Sequence, residues 1–466
     1  MKRFGAGKWQ PTWPSVWRSG FKVAILVVGV FPAGCWESGG TSTNAAESAS
    51  TDSRAEIDQD VIRQLESLGY VEWAEDVPEP TGPTPIEVND VARRAEGINL
   101  VLSSHAREAF LMDADGTVLH RWSHNADPSS TGGSLDAEIL KHWYIRKAEL
   151  LPTGELLAIL GFPHGEQTPE GYERVGLVKL DKDSNTIWEY LGKAHHDLDV
   201  REDGVILVLT NQAKINPEID ADNPVLEDYI TMLSPDGLEL GRVSVYDSLK
   251  NGGAREILDR IQSLADEGHG DILHTNSLEI VNERLAARLP EVSPGDVLIS
   301  IREVHAIVVI NLEKRESVWT HTGDFRYQHD ATVLDNGNIL FFDNRGSRRH
   351  SAVRELDPVT RREVWFYAGN WLREFRSKDV GASYRLKNGN TLIVESRRGR
   401  AFEVTPKREI VWEFINPNRT ARDETRIAQL MDLRRLDPDF PLDWLDAPLV
   451  SAAPAPDVSH SSKRRR

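Results

Sequence analysis

The stretch HDATVLDNGNILFFD (residues 329–343) decides the fold. Two short runs of alternating apolar residues flank an Asn-Gly turn, which is the pattern of a tight antiparallel hairpin. Other stretches share this pattern when they are aligned on the turn glycine: RKAELLPTGELLAIL, HDLDVREDGVILVLT and GASYRLKNGNTLIVE. The segments HTNSLEIV and PGDVLISI fit it as well, with an insertion before their turn. The chain therefore repeats one hairpin several times.

Each hairpin is followed by a second pair of strands around a polar turn. One position near the end of this second pair is held by tryptophan in five units and by leucine in the other: Trp122, Trp188, Leu240, Trp319, Trp365 and Trp412. Four antiparallel strands that recur every roughly 45–80 residues are typical of a β-propeller, whereas a solenoid would have shorter and more uniform repeats. We expect the tryptophans to pack between blades and not to stack on a cofactor.

The repeat predicts an all-β fold, a six-bladed β-propeller over residues 97–437. The first unit lacks an innermost strand, and residues 426–437 form an unpaired strand at the other end. We expect this C-terminal strand to complete the first blade, because closing the ring removes both exposed sheet edges. Residues 438–466 are expected to be a largely disordered tail.

The N-terminal residues 1–35 have the composition of an export signal. Basic residues precede an apolar run that ends in Ala33, Gly34 and Cys35, the single cysteine of the chain. This order resembles a bacterial lipoprotein signal and predicts a lipidated Cys35, a periplasmic or cell-envelope location and attachment to the membrane. A cleaved signal peptide and an uncleaved anchor are the alternatives. Residues 36–96 predict a flexible tether, a short helix over residues 54–75 and a proline-rich extended arm.

The charge of the chain limits its partners. Acidic residues outnumber basic ones by 73 to 55, which gives a net charge of −18. A surface of this sign repels nucleic acid, so we expect no nucleic-acid partner. A single cysteine excludes an internal disulfide.

In a propeller, the start of the first strand and the end of the second strand of each inner hairpin lie on the same face. Counting eight residues back from the turn glycine gives Arg146, His196, His329 and Gly381, and the similarity of HTNSLEI to HDATVLD assigns this place to His274. The ends of the second strands add further polar residues to this face: Asn211, Arg302, Asn344, Arg345, Arg397 and, three residues after Arg345, Arg348. We expect these side chains around the mouth of a central channel. The alternative is a polar channel lining that only holds water.

Two long connections are predicted on the same face. Residues 249–273 have a helical pattern, and residues 369–380 carry Trp371 and Phe375. They are expected either to form an apolar wall at the channel mouth or to pack on the tops of the blades.

Three stretches resemble the bacterial arylsulfate sulfotransferase family that works without the nucleotide donor PAPS: LHTNSLEI with DVLISIREVHAIVVIN, QHDATVLDNGNILFFDN, and GASYRLKNGNTLIVESRRGRAFEVTPKREIVWEF. The resemblance covers about residues 97–437 and is strongest to a short, single-propeller branch. It implies an exported propeller that moves a sulfuryl group between phenols through a transiently sulfated histidine. By this resemblance, His274 and His329 match channel histidines, and Arg302 and Arg345 or Arg348 match anion-binding arginines. The sixth unit has Gly381-Ala382-Ser383 and no histidine at the corresponding place.

Sulfuryl transfer requires cations for the peripheral oxygens, a nucleophile, and an acid for the departing phenolate. We therefore expect catalytic roles for His274, His329 and His196, and substrate binding by a second set: Arg302, Arg345, Arg348, Asn344 and Arg146. The expected substrates are small aryl sulfates and phenols, and no cofactor is expected. A metal held by HHDLDV (residues 195–200) and a quinone are less favoured alternatives, because the ligands of HHDLDV alternate along a strand. A binding or scaffold propeller of the same fold is the alternative to an enzyme.

Overall fold

The computed structural model describes residues 84–125, 143–161, 176–347, 350–369, 374–420 and 425–445. These residues form six antiparallel sheets that are arranged as the blades of a propeller. Several predicted features lie outside the described residues: Cys35, the helix over 54–75, Arg348, Trp371 and most of the C-terminal tail.

The chain enters the propeller through β1 (Ile86–Asn89) and continues into blade 1. The strands of blades 1 to 3 follow in chain order: β2 (Asn99–Ser103), β3 (Glu108–Met112) and β4 (Val118–Ser123) in blade 1; β5 (Tyr144–Leu150), β6 (Leu156–Gly161), β7 (Leu177–Leu180) and β8 (Thr186–Tyr190) in blade 2; β9 (Ala194–Val200), β10 (Ile206–Asn216), β11 (Asp220–Leu233) and β12 (Glu239–Ser244) in blade 3.

Blades 4 to 6 repeat the order from the innermost strand outward. Their strands are β13 (Thr275–Ile280), β14 (Val297–Ile301), β15 (Ala306–Asn311) and β16 (Glu316–Thr322) in blade 4; β17 (His329–Val333), β18 (Ile339–Ser347), β19 (His350–Asp357) and β20 (Arg362–Ala368) in blade 5; β21 (Ala382–Arg385), β22 (Thr391–Glu395), β23 (Arg400–Val404) and β24 (Ile410–Ile415) in blade 6. Helices α1 (Val245–Asn251), α2 (Arg255–Asp266) and α3 (Glu283–Ala286) lie in the connections, and Ser396–Arg398 form a 3-10 turn.

The last strand, β25 (Leu430–Arg435), closes the ring. It pairs antiparallel with β2 and becomes the innermost strand of blade 1. The six inner strands β25, β5, β9, β13, β17 and β21 contact one another in this order around the axis. The prediction of six blades closed by the C-terminal strand is therefore confirmed. Part of the N-terminal arm is also a strand, because β1 pairs with β24 as a fifth, outer strand of blade 6.

The second strands of the blades are buried on both faces because neighbouring blades cover them. Every residue of β6, β14 and β22 is buried. This explains why these second strands are mostly apolar in sequence. The outermost strands β8 and β20 are largely exposed, and their exposed residues include the apolar Ile187, Val364 and Phe366.

The repeated tryptophans link neighbouring blades, as their periodic positions predicted. The indole Nε1 of Trp122 donates to the Gly154 carbonyl of the next blade at 3.1 Å. Three further tryptophans make the same bond to a turn of the following blade: Trp188 to Pro235, Trp365 to Pro406, and Trp412 to Ala114. Gly237, at φ 80°, is required beside Trp188, because an added Cβ would lie 2.7 Å from the indole. Leu240, which replaces tryptophan in blade 3, is 60% exposed.

The two long connections pack on the blades. The apolar face of α2, with Ile257, Ile261 and Ala265, is buried in one cluster with strands of blades 3 and 4. Phe375 is 1% exposed and packs with Phe342 and Phe402. Of the two expected arrangements, these side chains adopt packing on the blades. In the part of the chain that the structure describes, no helix combines the length and the apolar character needed to cross a membrane.

Candidate active site

The inner strands begin irregularly on the face that carries the predicted residues. The pairing register of the inner hairpins shifts near this end in blades 2, 3, 4 and 5. His196, His274 and Asp330 have φ of 59°, 52° and 52°, in the left-handed region that non-glycine residues rarely adopt. Bulges re-aim side chains, and backbone strain of this kind clusters at functional sites. The irregular strand ends therefore mark this end of the channel as a candidate functional site. We call it the channel mouth, and its residues are Arg146, His196, His274, Arg302 and His329.

Hydrogen bonds between successive blades fix which residues are equivalent. Asp197 accepts a bond from the Leu278 amide of the next blade, Ser277 from that of Ala331, and Asp330 from that of Ser383. The residues that precede the three acceptors are consequently equivalent: His196, Asn276 and His329. His274 lies two residues before this position. The assignment by similarity differs here because the insertion that contains α3 separates β13 from its turn glycine and prevents a direct count.

His274 still lies beside His196 and has a half-buried carboxylate as its partner. Its ring centroid is 4.8 Å from that of His196, and Nδ1 makes a short hydrogen bond to Oδ2 of Asp271. Because an ionised carboxylate only accepts hydrogen bonds, Nδ1 carries the proton and Nε2 of the neutral ring carries the lone pair. Burial and the charge of Arg302 lower the pKa of His274 well below its usual value. Burial raises the pKa of Asp271 to about 6, although Arg302 opposes the shift.

A second carboxylate reaches His196 through another histidine. Nδ1 of His195 is 2.7 Å from Nδ1 of His196, so one of the two atoms donates and the other accepts. Nε2 of His195 lies 3.6 Å from Oδ1 of Asp228, whose Oδ2 accepts a bond from the Thr275 amide at 2.7 Å. Burial lowers the pKa of His195 to about 3, while burial and the charge of Asp271 raise the pKa of Asp228 to about 8.

Two of the predicted arginines, Arg302 and Arg345, meet at Tyr327. The guanidinium carbon of Arg302 is 4.9 Å from the Tyr327 ring centroid, and that of Arg345 is 4.5 Å from it. Arg302 also donates its backbone N–H to the His274 carbonyl and pairs with Glu303. Its buried Nε finds no hydrogen-bond partner among the described residues. The positive charge of Arg302 contributes to the low pKa of His196, His274 and His329, which places it among the histidines.

His329 is held on both ring nitrogens. The Asn344 amide nitrogen donates to the carbonyls of Ser377 and Val380, so its Oδ1 faces His329 Nδ1 at 2.8 Å. Nδ1 of His329 is therefore the donor, and Nε2 accepts a bond from the Val380 amide at 3.3 Å. His329 is 3% exposed. The contacts of Asn344 hold this ring in place.

Below the mouth, charged side chains fill the channel. Arg146, His196 and His329 line a small cavity of about 30 Å³. At its base, Nζ of Lys147 lies 3.0 Å from Asp432, with Asp197 and Asp330 also within 4 Å. Burial lowers the pKa of Arg146 to about 10, so this guanidinium stays cationic at neutral pH.

The segment HHDLDV does not gather its side chains at one point. Asp197 and Asp199 accept backbone bonds from Leu278 and Ile280 of blade 4, while His195 and His196 face each other. Among the residues that the structure describes, no three His, Cys, Asp or Glu side chains are arranged to hold a metal ion.

The sequence patterns did not identify Asp271, Asp228 or Tyr327 as parts of the site, and they included His195 only in the less favoured metal alternative. Asp271 precedes His274 by three residues, and this spacing could have indicated that the two side chains form a pair. Asp228 lies on β11, far from any repeat position used in the alignment. Arg397, predicted at the rim, lies 3.4 Å from Asp379.

Comparison with known proteins gives the family. The sequence profile of the arylsulfotransferase (ASST) family matches residues 149–417, which is more than half of the chain. The chain therefore belongs to the arylsulfotransferase family, as the resemblance predicted. No curated protein matches it.

Solved structures with a similar chain path share little sequence with this protein. A protein of unknown function from Bacteroides caccae is 12% identical with a TM-score of 0.45, over 73% of this chain and 98% of that one. A streptogramin B lyase is 12% identical with a TM-score of 0.38, over 74% and 86% of the two chains. Virginiamycin B lyase from Staphylococcus aureus is 12% identical with a TM-score of 0.33, over 59% and 71%.

Proposed function

We propose that this protein transfers a sulfuryl group from an aryl sulfate to a phenol through a histidine at the channel mouth. The observation that carries the proposal is the Asp271–His274 pair beside Arg302. It combines a neutral imidazole of defined tautomer with a fixed cation, in a chain of the arylsulfotransferase family. Sulfuryl transfer needs this combination of nucleophile and positive charge.

His274 is the proposed nucleophile. With its proton on Nδ1, facing Asp271, its Nε2 has the lone pair that attacks sulfur. Its side chain is 12% accessible, so substrate can reach it. His329 is less suited to attack because Asn344 and the Val380 amide hold both of its nitrogens. We assign His329 to the wall of the site and His196 to proton transfer with the phenolic oxygen.

The arginines are proposed to bind the sulfuryl oxygens. Arg302 has a buried Nε that makes no hydrogen bond to the described residues, and a planar guanidinium matches a tetrahedral oxyanion. Arg146 adds a second cation near the histidines, because it lines the same small cavity as His196 and His329 and its charge lowers the pKa of His195 and His274. Arg345, which is exposed, would guide the anion towards Tyr327.

The location of the protein is proposed from its N-terminal sequence. We infer export to the cell envelope and attachment to the membrane through a lipidated Cys35. In cell fractionation, Cys35→Ser should move the protein from the membrane to the soluble fraction or leave it unprocessed. A mutant with the same mass and the same fractionation as the parent would contradict lipidation.

The reaction is tested with purified protein, an aryl sulfate donor and a phenolic acceptor. Loss of donor together with formation of the sulfated acceptor is expected, and the variant His274→Ala should abolish both. Reaction by the parent with His274→Ala fully active would move the nucleophile elsewhere. A parent that binds phenols but leaves every aryl sulfate intact would favour the binding propeller.

A further inference from the structure

A line of closely spaced polar side chains leads from the channel mouth into blade 3. His196 lines the small cavity, its Nδ1 is 2.7 Å from Nδ1 of His195, and Nε2 of His195 faces Asp228 at 3.6 Å. The buried Nε2 of His195 makes no hydrogen bond to any described residue. The 3.6 Å between Nε2 of His195 and Oδ1 of Asp228 slightly exceeds the length of a hydrogen bond. A small side-chain rotation or one bridging water therefore connects the two groups. The three residues His196, His195 and Asp228 are called the proton path.

We propose that Asp228 stores the proton of the reaction, giving it through His195 and His196 to the departing phenolate and recovering it from the acceptor phenol. The proposal rests on the sulfuryl transfer proposed above. His196 touches the reacting oxygen, whereas His195 and Asp228 act through it.

In the first half-reaction, a bond forms between Nε2 of His274 and sulfur, and the bond between sulfur and the aryl oxygen breaks. The leaving oxygen takes the proton on Nε2 of His196. Nδ1 of His196 then takes the proton of His195 Nδ1, and Nε2 of His195 takes the proton of the Asp228 carboxyl. Asp228 becomes a carboxylate, and a neutral phenol departs.

The second half-reaction reverses each step. The acceptor phenol gives its proton to Nε2 of His196, and the proton path returns one proton to Asp228. The phenolic oxygen attacks sulfur, and the bond between sulfur and Nε2 of His274 breaks. No proton is gained or lost over the cycle, so no further reactant is needed.

The charges around the proton path suit this role. Asp228 is 1% exposed and faces Asp271 and Glu227, both acidic, and burial and the charge of Asp271 favour its protonated form. His195 faces His274, Asp271 and Arg146, and His196 faces His274 and Arg302. Burial and the neighbouring cations keep both imidazoles neutral, so they relay a proton but do not hold it. Asp271 and Asp228 are thus two neighbouring carboxyls with different environments, which is the arrangement that separates the roles of base and acid.

The leaving group of the donor distinguishes proton donation from a structural role. Phenyl sulfate releases a basic phenolate that needs a proton, whereas 4-nitrophenyl sulfate releases a phenolate that departs without one. The value of kcat/KM for the donor reports only the first half-reaction of a two-step transfer. For Asp228→Asn, we expect kcat/KM for phenyl sulfate to fall by about 10²–10⁴, the range of general acid catalysis, and kcat/KM for 4-nitrophenyl sulfate to fall less than about tenfold. Equal losses with both donors, or no loss, would overturn the proposal.

Two further variants keep the test decisive. Asp220→Asn makes the same exchange at the start of the same strand, at a carboxylate that bonds to Asn223, and should retain the parent's ratio of the two rates. If Asp228→Asn does not fold, His195→Phe interrupts the proton path at its centre and should lower the same ratio. An inactive parent would refute the proposed function. An active parent with an unchanged ratio in His195→Phe would refute only the proton path.

Discussion

Asp271→Asn replaces one carboxylate oxygen by an amide nitrogen beside His274, the proposed nucleophile. The carboxylate accepts the proton-bearing Nδ1 of His274 and thereby keeps the lone pair on Nε2. An amide in its place accepts more weakly, and in its other orientation it donates to Nδ1 and forces the proton onto Nε2. In both cases, the fraction of His274 that is ready to attack sulfur decreases.

The expected loss follows from the strength of this contact. Hydrogen bonds to charged groups contribute about 1.5–3 kcal/mol, which corresponds to a decrease in kcat of about 10- to 150-fold. The free energy of unfolding, in contrast to kcat, should not decrease. The pKa of Asp271 is raised from 3.8 to about 6, so its ionisation opposes folding above pH 6, and this effect disappears as the pH falls below 3.8. Removing the charge should therefore leave the free energy of unfolding at pH 7 unchanged or higher, by up to about 3 kcal/mol.

The assay is steady-state turnover of an aryl sulfate at pH 7 together with thermal unfolding of the same preparations. The control is Asp296→Asn, the same exchange at a buried carboxylate of blade 4 that accepts bonds from the Ser293 amide and Asn311 and whose pKa is also raised by burial. We expect this control to retain most of its activity. Parent-like turnover in Asp271→Asn would refute the role of Asp271, and a large decrease in its unfolding temperature would show that the carboxylate serves the fold.

Three further predictions concern the arginine, the pH dependence and ring closure. Arg302→Ala should lower kcat/KM by about 10²–10³. The control is Arg326→Ala, which removes an exposed arginine on the same face and should keep kcat/KM near the value of the parent. Equal losses in the two variants would indicate only long-range attraction of the anion. With phenyl sulfate, the rate should be bell-shaped in pH with its maximum between about 6 and 8, because Asp271 must be ionised and Asp228 protonated; a rate that rises steadily to pH 9 would contradict this. Deletion of residues 426–466 should abolish cooperative thermal unfolding, because it removes an inner strand from a domain whose stability is about 5–15 kcal/mol; a parent-like transition would contradict the closure.

The fold was predictable because its signals are local. Each hairpin has its own turn glycine and alternation, and each tryptophan marks the strand that meets the next blade. The unpaired half-unit at each end of the repeat indicated the closure by β25. None of these inferences required knowledge of a distant contact.

The site was predictable only in part, since its geometry depends on bulges and insertions that break the repeat. The insertion with α3 hid the true register of blade 4, in which Asn276 is equivalent to His329 and His274 lies two residues earlier. Asp228 comes from a long second hairpin in blade 3, and only the folded chain brings it to His195. The stretch QHDAT, one of those on which the family resemblance rested, largely joins blades: Gln328 bonds to Ser300 and Ile301 of blade 4, and Asp330 to blade 6. A sequence pattern does not separate these bonds from catalysis.

The central claim, a sulfated histidine at the channel mouth, is tested most directly by mapping the covalent intermediate. Purified protein is mixed with an aryl sulfate in the absence of acceptor, and its peptides are analysed by mass spectrometry. We predict a mass increase of one sulfuryl group on the peptide that contains His274, and its loss when a phenol is added. An adduct on His329 or on another residue, or donor turnover without any adduct, would contradict it.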